Sequence, residues 1–194
     1  MLRDFILPIT LAGAPRGLIA RDLPAGLFFY GFPDIVPFAD CWERDTSAGQ
    51  RETAQQMERW LDHLLVAAVC EPRLTLEQVH RLGPARDEAV VAYLRTVGWL
   101  TERDVLVGER TMPIELAPAP SVEDDPPPIA AWVLRAVVQT PGQNVRQALR
   151  MMAERTRTLP SVLWQLPISE WIFCWRVLLS DKLQEREARR HRDD

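Results

Sequence analysis

The sequence predicts a mainly α protein with a small N-terminal β element, an α+β fold in which a proline-rich linker joins two helical parts. Two short apolar runs near the start, "DFILPITL" and "GLIARDL", enclose the turn-forming stretch "AGAPRG". Apolar residues then recur at three- and four-residue spacing in several later segments, which is the period of a helix buried on one side. Between Gly108 and Pro128 that pattern breaks, and six prolines occur.

The two N-terminal runs predict a hairpin or two short strands. Pro8 has no N–H to donate to a neighbouring strand, so the first strand is expected at the edge of a sheet. The aromatic segment from Leu23 to Trp42 predicts a short helix or an irregular loop that packs through its phenylalanines.

A long helix is predicted to follow. Ser47 and Gln50 have the spacing of a capping box at its start. Pro72 should end it near Cys70, because the residue before a proline disfavours helical geometry. Its apolar face comprises Met57, Leu61, Leu64, Leu65 and Ala68.

Two shorter helices are predicted next, each with its own start or stop signal. Thr75 and Gln78 form a second capping box. Pro84 suits the first turn of the following helix, and Gly98 marks the end of that helix.

The proline-rich break predicts three regions. Residues 1–107 are a β-hairpin plus helical domain, residues 108–128 are an acidic, extended linker, and residues 129–194 are a tryptophan-rich helical part. In the last region a long helix begins at Pro167, with Trp171, Trp175, Leu178 and Leu179 along one side. A tail of mixed charge continues this helix.

Composition and charge exclude several classes of protein. The hydrophobic content of 47% over 194 residues is that of a folded chain. The net charge is −4 and no basic face is dense, so we expect no nucleic-acid partner. The apolar run near the C-terminus contains two prolines and would have to desolvate Gln165, Glu170 and Arg176, so we expect no membrane span. Asp4 and Pro8 interrupt the N-terminus where a signal peptide needs an apolar core, which favours a cytoplasmic location.

Catalytic and metal-binding signals are weak in this sequence. The cysteines form no close pair, and Cys70 and His80, the nearest approach to a metal-ligand pair, lie ten positions apart. No glycine pattern of a phosphate-binding loop occurs. The sequence therefore predicts a protein without a cofactor, a metal or catalytic residues. Two cysteine–histidine dyads, Cys70 with His80 and Cys41 with His63, stay open as the basis of an unrecognised hydrolase.

The tryptophans are the strongest signal for function. Trp171 and Trp175 lie four residues apart and are expected to pack inward, whereas Trp164, between two prolines, is the better candidate for exposure. Tryptophan is enriched in the hot spots of protein interfaces. The predicted partner-binding residues are Leu163, Trp164, Leu166, Trp171 and Trp175.

Two segments resemble tail assembly chaperones of long-tailed bacteriophages. They are "EPRLTLEQV", from Glu71 to Val79, and the stretch from Leu159 to Trp175, which begins with a Leu-Pro and is rich in tryptophan. The resemblance implies a non-enzymatic helper in the host cytoplasm that coats the tape-measure protein and recruits tail tube subunits. It assigns no role to an individual residue. The alternatives are a permanent structural adaptor of a tail or capsid, and the cysteine hydrolase.

Overall fold

The computed structural model describes residues 3–31, 50–101 and 145–193, and in these ranges the protein is mainly α with a small antiparallel sheet. The predicted α+β class is therefore confirmed. The strands are β1 (Asp4–Leu11), β2 (Ala14–Arg21) and β3 (Val69–Glu71). The helices are α1 (Ala25–Tyr30), α2 (Gln50–Ala68), α3 (Leu76–Arg81), α4 (Pro84–Thr96), α5 (Val145–Thr156), α6 (Pro160–Leu163) and α7 (Ile168–Asp193).

The predicted hairpin is confirmed, and a two-residue turn sets its register. Leu11 pairs with Ala14, and the turn residues between them, Ala12 and Gly13, have φ values of 50° and 77°. Positive φ at both positions matches the right-handed twist of the flanking strands. The strand order β1-β2-β3 leaves β1 at the edge, as Pro8 predicted.

The third strand was not predicted. The long helix ends at Ala68, two residues before the expected end, and the chain continues directly into β3, which pairs with Ile19 and Ala20 of β2. A strand of three residues is too short to produce an alternating pattern. It attaches the end of α2 to the hairpin.

The start signals of the two shorter helices are confirmed. The backbone N–H of Gln78 donates to Thr75 Oγ1 at 3.3 Å, and the backbone N–H of Thr75 donates to Gln78 Oε1 at 2.8 Å. Pro84 is the first residue of α4, and Gly98, with φ of 80°, follows the end of that helix closely. Ser47, the other predicted cap, lies outside the described residues.

One core cluster contains buried residues from all three described ranges. The largest of its fully buried side chains include Phe28, Trp60, Tyr93 and Trp171. The predicted boundaries at 107/108 and 128/129, and the linker itself, lie outside the described residues and stay predictions. Within the described ranges, the helices after residue 145 share the core of the N-terminal elements.

Candidate interaction site

The segment between α6 and α7 docks on the start of α1 through its backbone. The N–H of Ala25 donates to the carbonyl of Leu166 at 2.8 Å, and the N–H of Gly26 donates to the carbonyl of Trp164 at 2.9 Å. The first N–H groups of a helix have no partner within the helix, so carbonyls from elsewhere in the chain satisfy them here. The N–H of Ile168 donates to the carbonyl of Leu23 at 2.8 Å and completes the contact.

Close approach at this contact depends on Gly26. A Cβ at that position would lie 3.2 Å from the Trp164 carbonyl oxygen and 3.3 Å from Trp164 Cβ. Both distances are tighter than ordinary van der Waals contact. A larger residue at position 26 would therefore push the docked segment away from α1.

Aromatic rings bury the docked segment. The ring centroids of Phe29 and Trp171 lie 4.9 Å apart, and those of Tyr30 and Trp164 lie 5.3 Å apart, edge to face. Trp164 and Trp171 are parallel, with centroids 6.2 Å apart. Such pairs contribute beyond the area they bury, so the segment is held by packing as well as by its backbone.

The buried carboxylate of Asp22 accepts hydrogen bonds from the first turn of the long helix α7. Asp22 accepts hydrogen bonds from the backbone N–H of Ser169 at 3.3 Å and from the Ser169 hydroxyl. A negative charge at a helix N-terminus is favourable because the first N–H groups are partly positive. The next residue, Leu23, donates its N–H to the hydroxyl of Tyr93 at 3.3 Å, and burial raises the pKa of that phenol above its usual value.

The five predicted partner-binding residues occupy different environments. Leu163, Trp171 and Trp175 are buried, while Trp164 and Leu166 are half-buried. The inward position of Trp171 and Trp175 agrees with the sequence. Trp164 is the most exposed of these three tryptophans, as predicted, although the turn after α6 covers part of its ring with Tyr30, Phe29 and Trp171. As partner-binding residues the five stay a prediction.

A different apolar surface of the same helix is exposed. Phe173 is 68% exposed and Val177 is 43% exposed, and their separation of four residues places them on one face of α7. We call this pair the Phe173–Val177 face. This face was not predicted from the sequence. The helical period does indicate it, because these two positions lie on the side of α7 opposite the buried Trp171 and Trp175.

A buried charged cluster joins α2, α3 and α4. Asp62 lies 3.0 Å from His80 Nε2 and 3.4 Å from Arg86 Nη1, and Arg86 is also buried. Burial raises the pKa of the Asp62 carboxyl, although the nearby Arg86 and His80 oppose the shift. The sequence analysis missed this cluster because its members are far apart in the chain.

Cys70 and His80 do not form the proposed dyad, because each side chain has another partner. The Cys70 thiol donates to the carbonyl of Ile19 at 3.3 Å, whereas His80 lies against Asp62. For the other pair, Cys41 lies outside the described residues, and His63 Nδ1 lies 2.8 Å from the Arg59 carbonyl oxygen.

In residues 3–31, 50–101 and 145–193 we find no group of three or more His, Cys, Asp or Glu side chains placed to hold a metal ion, and no helix with the length and apolar character to cross a membrane. An open cleft of about 290 Å³ separates α5 from α7. It is lined by Met151, Glu154, Arg155, Leu178, Asp181 and Lys182.

Comparison with known proteins found no matching family model, no matching curated protein and no matching solved structure.

Proposed function

We propose that this protein is a non-enzymatic tail assembly chaperone, which coats a tape-measure protein in the host cytoplasm and recruits tail tube subunits. The observation that carries the proposal is the Phe173–Val177 face, an exposed apolar pair on a long helix. An amphipathic helix that presents anchors four residues apart suits a helical client with its own apolar stripe.

The size of this face favours reversible binding. Complete burial of a side chain such as Phe173 or Val177 contributes about 1.5–3 kcal/mol, and association itself has a substantial entropic cost. One such contact is weak. A long helical client offers many such sites, and each bound copy remains displaceable by the subunit that follows. A permanent adaptor would need a larger interface, of about 1,200 Å² or more.

Co-expression with the tape-measure protein of the same genome tests the proposal. We expect Phe173→Ser/Val177→Ser to keep the melting temperature of the unchanged chain but to lose most of its ability to keep the client soluble. Ile6→Ser is the matched control, because Ile6 is 70% exposed and lies on the sheet. Equal client solubility with the double variant and with the control would contradict the proposal, and recovery of the protein from finished particles would favour the adaptor.

A further inference from the structure

Two exposed carboxylates mark one edge of the Phe173–Val177 face. Glu170 precedes Phe173 by three residues, and Asp181 follows Val177 by four, so each lies about one turn beyond an end of the apolar pair. The eleven residues from Glu170 to Asp181 make close to three helical turns. Both carboxylates therefore lie in one row on the helix surface, about 16.5 Å apart along its axis. The apolar pair lies beside this row and between its two negative ends.

The negative charge on this edge is not neutralised by neighbouring side chains. Within the described ranges, neither Glu170 nor Asp181 forms an ion pair. Arg176 lies on the opposite edge of the face, and its guanidinium donates to the Trp99 carbonyl at 3.3 Å. Lys182 lies on another side of α7, with its Nζ 3.2 Å from the sulfur of Met151. The Phe173–Val177 face thus has an apolar centre and one negative edge.

We propose that the Phe173–Val177 face binds a basic amphipathic helix, which carries Lys or Arg along one edge of its own apolar stripe. The inference rests on the proposed function and names the chemistry of the client. Complementary charge at an interface contributes more to specificity and register than to affinity. Glu170 and Asp181 attract cations on this edge, and they repel a helix whose corresponding edge is acidic.

The spacing of the two carboxylates suits a helical partner in particular. In a helix that lies along α7, side chains eleven positions apart share one row and are separated by the same distance as Glu170 and Asp181. Lys and Arg also have long apolar stems, which cover hydrophobic surface while the charged end contacts a carboxylate. Cations on such a partner therefore add to the burial of Phe173 and Val177 instead of competing with it.

Two synthetic peptides of about 18 residues, long enough to form a helix in water, test this chemistry. Both have the same stripe of leucine and alanine, and they differ only in having lysine or glutamate at every edge position. NMR titration of the isotope-labelled full-length chain measures the dissociation constant of each peptide and locates the affected amides. We expect the lysine peptide to bind about tenfold more tightly at low salt, a preference that high salt reduces, and to shift amides of α7.

A matched pair of variants separates this edge from the overall charge of the protein. The net charge of −4 attracts any cationic peptide to some extent. Glu170→Gln/Asp181→Asn and the control Glu71→Gln/Glu77→Gln each remove two negative charges from exposed positions, so both should melt as the unchanged chain does. We expect the first variant to reduce the preference for lysine to about twofold or less, and the control to retain most of it.

Equal preferences in the two charge variants, or no binding of either peptide, would overturn the proposal. The proposed function survives that result if Phe173→Ser/Val177→Ser still loses client protection on co-expression. The opposite result is also distinct. If Phe173→Ser/Val177→Ser loses the lysine peptide but keeps the client soluble, a basic helix is the partner of this face and the chaperone role is contradicted.

Discussion

Replacing Trp171 by alanine removes a side chain that is 1% exposed and whose ring lies 4.9 Å from that of Phe29. Truncation of a buried tryptophan typically costs about 3–5 kcal/mol, because the transfer free energy is lost and a cavity remains. For a chain of this size a loss of 1 kcal/mol lowers the melting temperature by about 2–4 °C. We therefore expect Trp171→Ala to melt about 6–20 °C below the unchanged protein.

Two control variants separate packing from other effects of the substitution. Phe173→Ala changes the same helix two residues further on, at a position 68% exposed, and should alter the free energy of unfolding by less than about 0.5 kcal/mol. Trp171→Phe keeps an aromatic ring and removes an indole N–H that is buried without a hydrogen-bond acceptor in the part of the chain that the structure describes. Its cost should be less than half that of alanine, since no buried donor is left unsatisfied.

Thermal denaturation followed by circular dichroism measures all three variants. A melting temperature for Trp171→Ala within 2 °C of the unchanged protein would refute the inference that the C-terminal helices share the core of the N-terminal elements. A larger loss for Phe173→Ala than for Trp171→Ala would refute the assigned phase of α7.

Four further substitutions, at three residues, test the polar contacts, each by urea denaturation. Asp22→Ala should lower the free energy of unfolding by about 0.5–2 kcal/mol, the usual cost of losing a helix cap, and Asp22→Asn should cost less because it retains an acceptor for Ser169; equal losses would contradict the role of that acceptor. Asp62→Ala should lower the free energy of unfolding by about 3–5 kcal/mol, because it leaves the Arg86 guanidinium buried without this carboxylate. An unchanged free energy of unfolding would show that the stability does not depend on this ion pair. Burial raises the pKa of Tyr93, so above pH 10 this phenol ionises in the unfolded chain before it ionises in the folded protein, and the free energy of unfolding falls as the pH rises. Phenylalanine has no ionisable group, so Tyr93→Phe does not lose stability in this way. The difference in the free energy of unfolding between the unchanged protein and the less stable Tyr93→Phe should therefore be smaller at about pH 10–11 than at neutral pH.

Local signals in the sequence predicted the local structure well. The capping box of Thr75 and Gln78, the helix start at Pro84 and the edge position of Pro8 each depend on residues close together in the chain. These features follow from backbone chemistry that a few neighbouring residues determine.

Contacts between distant residues were not predictable in the same way. Asp22 contacts Ser169, and Asp62 contacts His80 and Arg86, but no periodicity links these positions in the sequence. The partial cover of Trp164 was not predicted for the same reason, because it comes in part from α1, which lies far from Trp164 in the chain. In the candidate interaction site, the helical phase of α7 could be predicted from the sequence, and the contact between residues 164–171 and residues 22–30 could not.

The buried and exposed faces of α7 lead to a last prediction, which separates two possible client sites. A client that binds the covered part of Trp164 must first remove residues 164–171 from α1, whereas a client that binds the Phe173–Val177 face requires no rearrangement. Pro24 and Pro167 form an antiparallel pair at this contact, so a disulfide in oxidised Pro24→Cys/Pro167→Cys holds the segment in place. We expect the oxidised and reduced forms of this variant to keep the client soluble equally well, since Phe173 and Val177 stay exposed in both. If oxidation abolishes client protection and reductant restores it, the client binds where residues 164–171 cover residues 22–30, and the Phe173–Val177 face is not its binding site.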